Sequence, residues 1–109
     1  MDWLLKDGEV LASLETADSR RARARGLLGR DGIDGALLLP GARSVHTVGM
    51  RFAIDVAFCD AGMTVLRVVT LPRHRVSRPV LRARCVIEAE AGALARWNVR
   101  PGDVLEVKG

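Results

Sequence analysis

Among the side chains able to do chemistry one polar cluster stands out, Arg43-Ser44-Val45-His46-Thr47-Val48-Gly49-Met50-Arg51, with Asp55 following shortly after. An imidazole donates, accepts and titrates near neutral pH. If the segments carrying His46 and Asp55 pair, the carboxylate would fix the imidazole tautomer and raise its pKa, the arrangement of a general base or a ligand clamp. His46, Thr47, Met50, Arg51 and Asp55 are therefore the candidate ligand-binding set. Asp55 has a second reading, as a structural anchor for backbone amides or for an arginine such as Arg51. Ser44 lies near His46, but without a strand-to-helix elbow that proximity does not define a nucleophile.

Other common chemistries are missing. There is no GxGxxG, no phosphate-binding loop motif, no HExxH and no GxSxG. No complete catalytic set can be assigned, and no cofactor is implied. His46, Cys59, His74 and Cys85 are scattered without paired spacing, so no zinc or other metal site is expected. Cys59 and Cys85 read as small buried hydrophobes rather than as a disulfide. The aromatic residues are Trp3, Phe52, Phe58 and Trp97. They read as core, not as a stacking platform for single-stranded nucleic acid.

The chain carries 17 Lys+Arg against 13 Asp+Glu, a net charge of +4, with lysine only at Lys6 and Lys108. A GC-rich coding sequence yields such an arginine bias without functional cause. The alternative is nucleic-acid binding through Arg20, Arg21, Arg23 and Arg25, aided by Arg73, Arg75, Arg78, Arg82 and Arg84.

Positioning these residues is the task of short elements within 109 residues, enough for one core. Strands over 2–6 and 9–15 flank Asp7-Gly8, a pair suited to a tight hairpin. Asp18 or Thr16 caps a helix predicted to run to about Leu28, with Gly29 as its stop. At about 100° per residue, its four arginines spread around the cylinder, so at least one needs a carboxylate or carbonyl partner at the core edge. Ala36 to Leu39 reads as a buried strand ending at Pro40-Gly41.

Ser44 to Met50 and Phe52 to Cys59 both read as strands. In the second, Phe52, Ile54, Val56 and Phe58 face one way and Ala53, Asp55, Ala57 and Cys59 the other. Thr64 to Leu71, apolar on both faces, is predicted to be a central strand. Residues 72–84 read as an irregular, exposed excursion. A strand over Val86 to Glu90, a short helix over Ala91 to Trp97 and a last strand over Val104 to Val107 complete the pattern. The fold class expected is α+β: a single compact domain over 1–109, with a largely antiparallel sheet curled into a partial barrel and two short helices.

Four segments in order resemble a known family. Arg23-Ala24-Arg25-Gly26-Leu27-Leu28-Gly29-Arg30 is similar to the opening motif of the bacterial and archaeal domain of unknown function 192 family. Val45 to Asp60 resembles its central signature. Val86-Ile87-Glu88-Ala89-Glu90-Ala91-Gly92 and Val99-Arg100-Pro101-Gly102-Asp103 match its closing motifs. The resemblance implies a β-rich α+β domain with a semi-barrel sheet and no established activity. Many members carry an aromatic and Trp-Met-Lys-Asn-like run where this chain has His46 to Arg51, whereas Met50 and Asp55 fit the pattern.

The function expected is a non-catalytic binding or accessory module with a polar cleft near His46–Asp55, taking a small-molecule or protein ligand. The alternatives are a small hydrolase-like enzyme using His46 with Asp55, and a basic nucleic-acid-binding domain. Apolar runs such as Val65 to Leu71 are too short to span a bilayer, and the N-terminus lacks a basic leader and a long apolar region. A monomeric cytoplasmic protein is the expectation.

Overall fold

The computed structural model describes residues Met1–Gly109. Its strands are β1 (Asp2–Lys6), β2 (Glu9–Thr16), β3 (Ala36–Pro40), β4 (Ile54–Cys59), β5 (Val65–Leu71), β6 (Cys85–Glu90) and β7 (Leu105–Lys108). Two helices, α1 (Arg20–Arg25) and α2 (Ala93–Arg96), complete it. The strands form one seven-stranded sheet in the order β5-β4-β6-β3-β2-β1-β7. Every pairing is antiparallel except β2 with β3. The β1–β2 turn has positive φ at both Asp7 and Gly8, the conformation that an Asp-Gly hairpin turn requires.

The sheet curls until its two edges meet at one end. Thr64 and Val104 form an isolated antiparallel bridge. The Val65 amide donates to the Asp103 carbonyl (2.8 Å) and the Leu105 amide to the Met63 carbonyl (3.0 Å). This partial closure explains a departure from the sequence reading: β5 is an edge strand, not a central one. Its inner face packs Val65 and Val68 into the barrel, while Val69 and Leu71 pack against the outside. Apolar residues on both faces thus mark a strand covered on both sides, whatever its place in the order.

Two hydrophobic clusters divide the molecule along the alternation of side chains. Inside the barrel lie Leu4, Leu14, Ala36, Ala57, Cys59, Val65, Cys85, Ile87 and Leu105, one or two from every strand, with Leu94 of α2 and Val99 plugging one end. On the outer face of β3, β4 and β6 lie Leu37, Leu39, Ile54, Val56, Phe58 and Val86, covered by Leu27, Val45, Met50 and Ala83. β4 and β6 are therefore covered on both faces; every residue of β4 and all but the last of β6 are buried.

Cys59 and Cys85 are opposite one another in the β4–β6 register, inside the barrel, as free thiols. The side-chain contact with Cys85 and burial push the Cys59 thiol far above its ordinary pKa, so it is not an activated nucleophile.

Candidate functional site

The segment after β3 is not the strand expected over Ser44 to Met50. It is a loop stitched antiparallel to residues 75–80 by the His46–Val76 bridge and by backbone bonds from Ser77 to Val45 (2.8 Å) and Val80 to Arg43 (2.9 Å). Thr47, fully buried, holds this pair together. Its hydroxyl donates to the Pro72 carbonyl (2.6 Å) and accepts from the Arg75 amide (2.9 Å). The 72–84 excursion is thus half of a structural clasp. His74 contributes, its Nδ1 accepting the Gly49 amide at 3.2 Å. We expect Thr47→Val, which keeps the shape and removes both bonds, to cost about 1–3 kcal/mol, read as a lower urea midpoint at unchanged m-value.

The clasp separates the five candidate residues. Met50 is buried in the outer core, and Thr47 is used internally. Arg51 is well exposed and pairs with Asp31 (2.7 Å), itself exposed, a surface ion pair of small energetic weight. Asp55 lies with Ala57 and Cys59 on the inner face of β4, as the alternation indicated. There Oδ1 accepts from the Thr70 hydroxyl (2.6 Å), and Oδ2 accepts from the Gly92 and Leu94 amides (3.0 and 3.1 Å).

Asp55 is the anchor that holds the start of α2. His46 belongs to the clasp on the outer face, so the sheet stands between them and no His46–Asp55 dyad forms. That corrects both the hydrolase reading and the placing of Asp55 in the cleft. The loop carrying His46 pairs with 75–80 rather than with β4, and an odd-numbered residue of β4 points into the barrel.

What His46 does border is a cavity of about 300 Å³ on the outer face. Arg23, Ala24, Arg25, Gly26 and Leu27 form one wall, Ala42, Ser44, Val45 and His46 another, and Leu39 and Glu88 the floor. Glu88 stands in the middle of β6, opposite Leu37 and Val56, and shares their outer face. It is 3% exposed, and its Oε1 has no hydrogen-bond partner in the protein. Burial alone pushes its carboxyl up to about 7, since removing a charge from water disfavours the ionised form.

The end of α1 is shaped by this carboxyl. Ser19 caps the helix, its side chain accepting the Ala22 amide at 3.0 Å, and the helix ends at Gly26, not near Leu28. Gly26 has φ +51°, and a Cβ there would lie 3.1 Å from Glu88 Oε1. A glycine at this point lets the backbone leave the helix directly over the buried acid. Arg25, exposed, reaches forward, its Nε donating to the Leu28 carbonyl (3.2 Å). Arg20, Arg21, Arg23 and Arg25 make no ion pair with any carboxylate; the ion-paired cations are Lys6, Arg30, Arg51 and Arg96.

Glu88 is the residue that the sequence reading missed. The signal was present: a carboxylate at the centre of the apolar run Val86 to Ala89 either has a partner or a task. The four His and Cys residues do not assemble, the cysteines lying inside the barrel and His46 and His74 outside, and no cluster able to hold a metal is present. No helix is long and apolar enough to cross a membrane.

A half-barrel α+β domain with one buried, unpaired acid beneath a short arginine-rich helix is the class of protein defined by this fold and site. The chain belongs to the domain of unknown function 192 family, described as "Uncharacterized ACR", whose family model matches residues 3–107. No curated protein matches it. Among solved structures it is similar to a protein of unknown function from Novosphingobium aromaticivorans, at 16% identity and TM-score 0.79, over 96% of this chain and 82% of that one. It is likewise similar to a putative transcription regulator from Sinorhizobium meliloti, at 24% identity and TM-score 0.80, over 97% and 91% of the two chains. At these identities the likeness extends to the fold.

Proposed function

We propose that this protein is a non-catalytic ligand-binding module whose site is the outer-face cavity floored by Glu88 and rimmed by His46, Ser44 and the α1 arginines. The observation that carries this reading is the Glu88 carboxyl, almost wholly withdrawn from water, unpaired in the protein and opening into a cavity. A buried polar group without a partner costs about 1–3 kcal/mol, and a bound ligand that completes it recovers that energy. Binding rather than catalysis is favoured because the cavity brings together an acid, a serine and a histidine without any hydrogen bond linking them, whereas a nucleophile needs a base within reach.

A fragment screen followed by amide chemical-shift mapping tests the site. Hits are expected to move Gly26, Ser44, His46 and Glu88, and Ala42→Leu, which fills the cavity, should abolish those shifts while leaving the spectrum folded. Hits confined to the barrel interior, or undisturbed by Ala42→Leu, would sink the proposal.

A second reading, nucleic-acid binding, is supported by the unpaired exposed arginines Arg20 and Arg21. It requires affinity for duplex DNA or RNA that falls steeply with salt and is weakened by Arg20→Gln with Arg21→Gln. Neither residue borders the cavity, so the two readings separate cleanly.

A further inference from the structure

Resting on the reading of the cavity as a binding site, we propose that its ligand is a small amphoteric molecule. A protonated amine at one end lies against Glu88, an acidic group at the other lies against Arg23 and Arg25, and a short apolar body spans the two. The floor and the rim make opposite demands. Glu88 Oε1 faces Gly26 and has no donor in the protein, and a carboxylate accepts most strongly from a charged N–H. At the rim, Arg23 is half-buried and Arg25 commits only Nε to a backbone carbonyl, leaving guanidinium N–H groups whose planar fork suits a carboxylate or phosphate.

The two ends do not satisfy each other. Both arginines line the cavity that Glu88 floors, yet no hydrogen bond or ion pair joins either to the acid. Burial is the sole cause behind Glu88's raised pKa; no guanidinium offsets it. Opposite charges held apart in one cavity leave a gap, and Leu27, Leu39, Ala42 and Val45 wall that gap with apolar surface. A purely cationic ligand would leave the rim unanswered, and a purely acidic one would meet a site whose floor already holds a carboxyl. A volume of about 300 Å³ lies at the small end of ligand pockets, which suits a short chain rather than a nucleotide. An ammonium on Glu88 also favours the ionised carboxyl, so binding near neutral pH releases a proton.

The test compares δ-aminovalerate with its isomer norvaline, in which the same two charges are adjacent, and with valerate and pentylamine, each bearing one charge. Calorimetry at pH near 7 in two buffers of different ionisation enthalpy gives affinity and protons released. Amide shifts give the location, and γ-aminobutyrate and ε-aminocaproate set the reach. At least one of the three end-to-end amino acids should move Gly26, Ser44 and Glu88, bind about tenfold or more tightly than norvaline, valerate and pentylamine, and release protons. Glu88→Gln and, separately, Arg23→Gln should each weaken it by about tenfold, while Arg20→Gln should not.

Equal binding of valerate or pentylamine at the cavity overturns the amphoteric ligand and leaves the cavity as a binding site. So does silence from every end-to-end amino acid while unrelated fragments still bind there. Silence from all of them, fragments included, overturns both. Should Glu88→Gln fail to fold, Arg23→Gln at the rim decides the matter.

Discussion

Replacing Asp55 by alanine is expected to destabilise the fold by about 4 kcal/mol, a loss large enough to unfold a marginal domain. The carboxylate is 3% exposed and accepts three hydrogen bonds, from the Thr70 hydroxyl on β5 and from the Gly92 and Leu94 amides. It thereby ties an edge strand and the start of α2 to β4. Alanine strands two amides, that of Leu94 buried, and opens space within the barrel; each unmade bond to a charged group weighs about 1.5–3 kcal/mol. Asparagine keeps one oxygen for the amides and should cost about 1 kcal/mol. Urea unfolding measures both. Amide exchange adds a local readout: in Asp55→Asn, protection at Leu94 should fall before that of β6. An Asp55→Ala variant as stable as the wild type would refute the anchoring role.

Glu88 governs the second large effect, and its sign is opposite to that of a paired acid. Its folded-state pKa is raised to about 7 from an ordinary 4.5. Between those values the folded chain holds a proton that the unfolded chain has released, so stability falls as pH rises. The contribution is fully present below about 4.5, declines through the interval and is gone above about 7. The size, at about 1.4 kcal/mol per pH unit, is roughly 3 kcal/mol. Glu88→Gln has no such proton to lose. Its stability should be flat over that window apart from other groups, and it should exceed the wild type's at pH 8 by about 2–3 kcal/mol. Unfolding midpoints measured for both proteins across pH 4 to 8 provide the check. A wild-type profile parallel to that of the glutamine variant would refute the buried, protonatable state. A ligand that ionises Glu88 should reduce this pH dependence, which links the stability profile to the binding experiment.

Much of the fold is legible in the amino-acid sequence. Asp7-Gly8 specified the first hairpin because the left-handed turn admits few residue types. The alternation through Phe52 to Cys59 placed Asp55 and Ile54 on opposite faces. The family motifs at both ends pointed to the half-barrel. Strand edges moved by one or two residues, as expected where the last hydrogen bonds of an element compete with its turn.

The same local information misjudged Ser44 to Met50, where Val45, Thr47 and Met50 are buried one after another without strand pairing along their length. Val45 and Met50 are buried against the outer face of the sheet and Thr47 by its bonds to Pro72 and Arg75, and a pattern of buried positions does not say what buries them. β5 was misplaced for a related reason: although an edge strand, it has apolar side chains packed on both faces, Val65 and Val68 toward the barrel interior and Val69 and Leu71 toward the outer core.

What the sequence by itself determined is the set of faces: which residues point into the barrel, which point out, and where the chain must turn. Those follow from side-chain size, period and backbone sterics within a few neighbouring residues. What only the tertiary structure decided is company. His46 and Asp55, close in sequence, lie on opposite sides of a sheet. Gly26, Ser44 and Glu88, far apart in sequence, enclose one cavity. The physical reason is that the energies of Asp55 and Glu88 depend on which donors reach them through the low-dielectric interior, and those donors are supplied by long-range register. Asp55 meets two amides and a hydroxyl and becomes an anchor, while Glu88 meets none and is left facing the cavity.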